Sequence, residues 1–212
     1  NFYPRGTKDE LVYYASQFNS IELNATFYRI FPEEQYQKWY DKTPEGFKFF
    51  PKMTNEVSHL RRLNDKVYEI ADRYLAVTSQ LKEKLGTIFL QMHNNFGPKN
   101  WDRVQQFVEY WPKEFSLAME FRHTDWFTDE KVAQELYHLL KENNIAHVLV
   151  DARQLEPRAR DLRVIVPEQF HAHLQHLLVL RKGRLVVAFV NVHLGEIRER
   201  EADLGGHVRF AV

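Results

Sequence analysis

Cysteine is absent from this chain. That excludes disulfides, thiolate metal sites and cysteine nucleophiles, and it leaves the compartment open, with the cytoplasm as the default expectation. No run of about 18 apolar residues occurs, so no transmembrane helix is expected. No apolar signal-like segment stands at the start. Formal net charge is zero, which removes a bulk electrostatic attraction to nucleic acid or to an acidic membrane. No GxGxxG turn follows any apolar segment, and this counts against a dinucleotide fold.

What is present is an alternation of helix and strand signals. Lys8–Phe18 places Leu11, Tyr14, Ala15 and Phe18 on one helical face. Ser20–Phe27 (SIELNATF) reads as a strand, and Pro32 opens a second helix through Trp39 and Tyr40. Phe47–Lys52 is the next strand. A long helix is expected over Asn64–Lys84, closed by Gly86 as its C-cap. Thr87–Met92 is a strand, Trp101–Tyr110 a helix, and Leu117–Arg122 a strand. Thr128 is the expected N-cap of a helix ending near Asn144, and His147–Asp151 is a fifth strand. Strand, helix, strand at this spacing marks βαβ units. The expected fold is therefore an α/β protein, a parallel (β/α) TIM-type barrel in one domain over residues 1–212, incomplete at both ends. A full barrel takes roughly 250 residues, and the chain has 212 and begins at Asn1. We expect an element to be missing in front, which would leave the edge of Ser20–Phe27 open to self-association.

The texture changes after Asp151. Residues 1–151 carry 19 Lys+Arg against 22 Asp+Glu, and residues 152–212 carry 10 against 7. In the tail a strand over Arg163–Val166, a helix from Glu168 to about Leu180 and a strand over Leu185–Val192 are expected. This part is a diverged end of the domain or a foreign segment.

In a parallel barrel the functional groups gather at the C-terminal mouth, where the loops after each strand meet. Every strand here ends in polar residues: Glu22 and Asn24, Lys52, Gln91, Glu120 with Arg122, and Asp151. His59 and His123 follow shortly after their strands, and Trp126 closes the fourth loop. Glu22, Glu120 and Asp151 are the candidate acid/base residues. Asn24, Lys52, His59, Gln91, Arg122, His123 and Trp126 are the candidate substrate contacts. Lys52 and Arg122 suit a small anionic ligand, a phosphate or carboxylate, through charge-assisted bonds. The alternative use of the same residues is a salt-bridge network that plugs the mouth. No cofactor is named by these residues. Glu22, His59, Glu120, His123 and Asp151 have the chemistry of a divalent-metal site, but none of the tight spacings HxH or HExxH occurs among them, so hydrogen-bonded residues without metal are the favoured reading. FHAHLQH at Phe170–His176 is a weaker metal signal. Trp39, Trp101 and Trp111 are expected in the core.

Five segments, NFYP at Asn1–Pro4, SIELNATFYRI at Ser20–Ile30, FKFFPKMT at Phe47–Thr54 with His59, KLGTIFLQM at Lys84–Met92 and AMEFRHTDW at Ala118–Trp126, occur in an order and spacing that resemble the YecE-like family, the domain of unknown function DUF72. The resemblance runs from residue 1 to about residue 151. It implies a barrel of the β/α class with a first strand ahead of NFYP, and an asparagine-rich strand end that Asn191 and His193 echo faintly. The family's seventh strand is not recognisable here. No catalytic residues come with the resemblance. Two functions stay open: an enzyme, a hydrolase or isomerase acting on a phosphorylated or nucleotide-like substrate, and a non-catalytic ligand-binding or interaction module.

Overall fold

The computed structural model describes residues 2–150 and the strand segments 177–181 and 184–188. The chain divides after Val148 into two compact units. The first begins with α1 (Glu10–Gln17), capped by the Asp9 carboxylate, which accepts from the backbone N–H groups of Leu11 and Val12. Strand β1 (Ser20–Leu23) follows, then the short helix α2 (Ala25–Tyr28) and α3 (Glu33–Asp41). The strand expected over Ser20–Phe27 thus stops at Leu23. The Thr26 hydroxyl lies 2.6 Å from the Leu23 carbonyl and 2.7 Å from that of Lys52. Such a local side-chain bond turns the backbone out of the ladder and into a helical turn.

Strand β2 (Lys48–Pro51) leads to a π-wound turn at Glu56–Leu60, a 3₁₀ turn at Asp65–Val67, helix α4 (Tyr68–Thr78) and a second 3₁₀ segment at Ser79–Lys84. The single long helix expected over Asn64–Lys84 is therefore three pieces. The last is broken at Lys82, where φ is +48°. Beyond the break the Lys84 ammonium turns inward and donates to the carbonyls of Tyr40 and Thr43, each at 2.7 Å, at the C-terminal end of α3. A buried lysine needs such acceptors. Gly86 is not a C-cap. Its N–H bonds the Phe49 carbonyl at 2.7 Å, and a Cβ there would stand 2.9 Å from that oxygen and 2.8 Å from the Phe50 ring. Close approach of two backbones selects glycine at this position.

Strand β3 (Ile88–Gln91), α5 (Trp101–Tyr110), β4 (Leu117–Glu120), the short α6 (Asp125–Thr128), α7 (Glu130–Glu142) and β5 (Ala146–His147) complete the first unit. Asp129, not Thr128, caps α7, accepting from the N–H groups of Lys131 and Val132. An aspartate at that place also favours the positive helix terminus.

The strand pairings are all parallel in this unit. Strand β1 pairs with β2, β3 with β4, and β4 with β5. Isolated parallel bridges, Phe49 to Leu85 and Lys52 to Phe89, tie β2 to β3. The architecture is mixed α/β with parallel sheets, and no closed barrel forms among the described residues. The two sheet faces differ sharply. Ile88 and Leu90 of β3, Leu117 and Met119 of β4, and Met92 and Phe121 just beyond their ends pack with side chains of α4, α5 and α7 in the main core. Leu23 and Phe49 pack with Ala15 and Tyr36 in a second core. Side chains alternate between faces along a strand, and partners in register share a face. Glu22 pairs with Phe50, Lys52 with Phe89, and Gln91 with Glu120. So Glu22, Lys52, Gln91, Glu120 and Arg122 share the face turned away from the helices.

In the second unit β6 (Leu149–Val150) and β7 (Leu177–Arg181) are parallel, and β7 is antiparallel to β8 (Arg184–Ala188). The expected strand at His147–Asp151 is thus split between β5 and β6, and Asp151 lies outside the described residues. The helix expected through Leu180 is overturned over 177–180. LLVLR and RLVVA are strand-forming runs, and their register places just two residues between them, a hairpin spacing. Strand β8 covers the first half of the expected Leu185–Val192. The strand at Arg163–Val166, the rest of the Glu168 helix, FHAHLQH, Asn191 and His193 lie outside the described residues. No described helix is long and apolar enough to cross a membrane.

Candidate functional site

The polar face carries one carboxylate at its centre. Glu120 ends β4 and its side chain is 1% exposed. Gln91, its register partner on β3, donates from Nε2 to Glu120 Oε2 at 2.8 Å. Arg122, two residues on and on the same side, approaches Oε1 with Nε at 3.3 Å. Burial pushes the Glu120 carboxyl above its ordinary value, and the Gln91 bond and the Arg122 and Lys52 charges oppose that rise. Arg122 itself is 42% exposed. Its terminal guanidinium nitrogens have no protein partner among the described residues.

Lys52 leaves β2 on the same face. Its ammonium stands 5.0 Å from the centroid of the Phe27 ring and 5.3 Å from that of Phe89. Among the described residues no carboxylate comes within ion-pair distance of it. Burial lowers its pKa from the ordinary lysine value, while Glu22 and Glu120 act in the opposite sense and Arg122 adds to the lowering. A cation held between two rings is attracted by their faces, yet among the described residues its three donors meet no acceptor.

His59 is carried by the π-wound turn. Its Nδ1 lies 2.8 Å from the Ser58 hydroxyl, and its ring meets Phe27 edge-on at 5.0 Å and His93 at 5.2 Å. Burial first, then His93 and the cations Lys52, Arg122 and Arg62, push the His59 imidazole down to about 4. It is neutral at physiological pH. His93 was not picked out by sequence reasoning. The available signal was its place two residues after Gln91, the same step that separates Arg122 from Glu120.

Glu22 is half-buried on the same face and within electrostatic reach of Lys52. The remaining expected residues stand apart. Asn24 is exposed at the start of α2 and makes no capping bond. His123 orders the loop after β4: its Nδ1 accepts the Asp125 N–H at 3.2 Å, and its ring lies against Gly97, where a Cβ would come within 3.3 Å. Trp126, expected near a ligand, is a core residue. It is 0% exposed, its indole N–H donates to the Phe96 carbonyl at 2.6 Å, and it packs against Phe96, Trp101 and Phe121. A tryptophan in the core satisfies its N–H in this way. Trp111 is likewise buried, and Trp101 packs against the core. Among the described residues no three His, Asp or Glu side chains gather as a metal-ligand set.

The chain is similar to proteins whose own names assign no activity. It is 31% identical over 143 residues to the UPF0759 protein YecE of Escherichia coli K12, covering 66% of this chain and 51% of that one. It is 30% identical over 168 residues to the UPF0759 protein YunF of Bacillus subtilis 168, covering 73% and 57%. The chain therefore spans little more than half the length of these relatives. Among solved structures it resembles a DUF72 family protein from Enterococcus faecalis V583, with a TM-score of 0.59 and 25% identity over 67% of this chain and 59% of that one. The model of the family described as "Protein of unknown function DUF72" matches residues 1–188, and the chain belongs to that family.

Proposed function

We propose that the polar face is the mouth of a parallel (β/α) TIM-type barrel and binds a small anion, as the substrate site of a hydrolase or isomerase acting on a phosphorylated or nucleotide-like compound. The observation that carries this reading is Lys52, a half-buried cation between Phe27 and Phe89 with no described carboxylate within ion-pair distance. In this reading Lys52 and the terminal nitrogens of Arg122 hold the phosphate. Glu120 is too deeply buried to meet a substrate and serves as a positioning residue, fixing Arg122 and Gln91. Glu22, which solvent reaches, is the acid/base residue. A cytoplasmic location belongs to the same proposal, since phosphorylated small molecules are found there.

The second reading is a ligand-binding module without turnover. It is favoured by the burial of Glu120 and its contacts to Gln91 and Arg122, which withdraw that carboxylate from proton transfer and leave Glu22 alone among the described carboxylates of this face for that role. Thermal unfolding with inorganic phosphate or ribose 5-phosphate, together with assay of the sugar phosphate for phosphate release or isomerisation, tests both. Ligand at a hundred times its Kd should add about 2.7 kcal/mol of stability, and Lys52→Met should abolish the increment. Turnover with a titrating carboxylate supports the enzyme, and binding without turnover supports the module. A wild type indifferent to both ligands would overturn the site itself.

A further inference from the structure

We propose that His59 and His93, together with Lys52, form the seat for the terminal oxygens of a phosphomonoester dianion, so that the ligand class is phosphorylated rather than carboxylated; this rests on the anion-site reading above. The two imidazoles meet at 5.2 Å with their planes 76° apart. Phe27 joins them to the cation: the same ring lies 5.0 Å from the Lys52 ammonium and 5.0 Å from the His59 ring. His93 accepts the backbone N–H of Asn95 at its Nδ1, at 3.0 Å. A neutral imidazole that accepts at one nitrogen carries its proton on the other. His93 is therefore a donor at Nε2, and among the described residues that nitrogen has no acceptor. His59 shares its Nδ1 with the Ser58 hydroxyl, and its Nε2 likewise has no described partner; when that hydroxyl donates to Nδ1, the ring proton sits on Nε2.

The backbone that delivers His59 is strained. The π-wound turn Glu56–Leu60 is followed by Arg62 and Leu63 at φ of +50° and +54°. Two consecutive non-glycine residues in that region are sterically disfavoured and persist only where the surroundings enforce them. Leu63 is buried in the main core, and the Arg62 Nε–H donates to the His59 carbonyl at 3.2 Å. The strain is thus anchored, and what it holds in place is the histidine. The result is the Lys52 ammonium and the His93 Nε2–H, joined by His59 Nε2 when it carries the ring proton, with no carboxylate among the described residues in ion-pair distance to receive them. A carboxylate ligand offers two oxygens at one end. A phosphate ester offers three terminal oxygens, and the Lys52 N–H bonds with the His93 Nε2–H supply a donor for each, His59 adding one when its proton is on Nε2.

Isothermal titration with inorganic phosphate and with acetate tests this in the wild type and in His93→Phe, His93→Gln and Lys52→Met. Phosphate should bind and acetate should bind far more weakly. His93→Phe, which keeps a ring beside His59 but has no N–H, should weaken phosphate by about tenfold or more. His93→Gln, which keeps a donor, should recover most of that loss. Long-range ¹H–¹⁵N spectra of the wild type should show both imidazole Nε2 resonances shifting on phosphate addition, a readout that does not depend on any variant folding. Phosphate binding that Lys52→Met removes but His93→Phe leaves intact, with unshifted imidazoles, would overturn the histidine seat and leave the anion site standing. No phosphate binding in the wild type would overturn both.

Discussion

Replacing Arg122 by alanine separates a ligand site from a salt-bridge plug. If both partners were fully buried, breaking the Arg122–Glu120 pair would cost about 3–5 kcal/mol. Only Glu120 is buried here, and Arg122 is 42% exposed. The contact is a single Nε–Oε1 approach at 3.3 Å, not a two-pronged one. A solvent-screened pair of this kind contributes about 0–1 kcal/mol. To that is added part of the cost of leaving one buried oxygen short of a partner, about 1–3 kcal/mol when no water replaces it. The space the guanidinium vacates opens to solvent, and Gln91 keeps the other oxygen at 2.8 Å. The expected loss is about 1–2 kcal/mol, or a Tm lower by about 2–8 °C for a domain of this size. The loss should also depend on pH. The Glu120 carboxyl is already raised by burial, so the folded state holds its proton more tightly than the unfolded state. Stability from this group is complete below the unfolded carboxylate pKa and declines as pH rises through the folded one. Without Arg122 that pKa moves higher still, so the difference between wild type and variant should be small near pH 4 and grow toward pH 7. Urea unfolding of both proteins at a series of pH values measures it. A loss of about 3–5 kcal/mol at neutral pH, with no stabilisation of the wild type by phosphate, would refute the ligand site in favour of the plug.

Trp126→Phe should cost about 2–4 kcal/mol, because the buried Phe96 carbonyl loses its donor and the core loses volume; phosphate affinity should be unchanged, and a lost affinity would return Trp126 to the site. The His147 imidazole is pushed down to about 4 by burial among Phe121, Phe127 and Tyr137. The folded state therefore binds fewer protons than the unfolded state between about pH 4 and 6.5, and stability should fall on acidification through that window by up to about 3 kcal/mol. His147→Phe should flatten part of that slope, His59 retaining the remainder; an unaltered slope in urea titrations would contradict the assignment. Gly86→Ala should destabilise by about 1–3 kcal/mol, since its Cβ meets the Phe49 carbonyl and the Phe50 ring; unchanged Tm would show that the strands slide apart at little cost. Strand β1 has β2 as its neighbour among the described residues, and an open edge invites pairing; light scattering should show association rising with concentration, and a monomer throughout would remove that expectation.

What the sequence discloses is set by periodicity. The step of two in Glu120–Arg122 and the polar ends of apolar strands are visible without coordinates, because alternation along a strand is local. Register then sets Gln91 beside Glu120, with Lys52 beside Phe89 one step lower on the same face, and parallel pairing follows from strand–helix spacing. What stays hidden depends on distant partners. The break at Lys82 accompanies the turn of Lys84 to carbonyls at and just past the end of α3, more than forty residues away. Gly86 reads as a helix stop, whereas the backbone of β2 decides it. Trp126 follows a charged motif and looks like a mouth residue, but the Phe96 carbonyl and three aromatic rings draw it into the core. Ser20–Phe27 reads as one strand because its apolar spacing continues, while the hydroxyl of Thr26 ends it at Leu23. His93 escapes notice because a lone histidine after a strand is ordinary until the ring of His59 is placed beside it.

The most direct test of an anion site at these strand ends is the titration of the Lys52 ammonium itself, followed by NMR in the free protein and at saturating phosphate. In the free protein Lys52 should deprotonate below the ordinary lysine value, held down by burial, and phosphate should raise that pKa as an acceptor reaches its N–H bonds. A Lys52 pKa that does not move when phosphate is added would contradict the site.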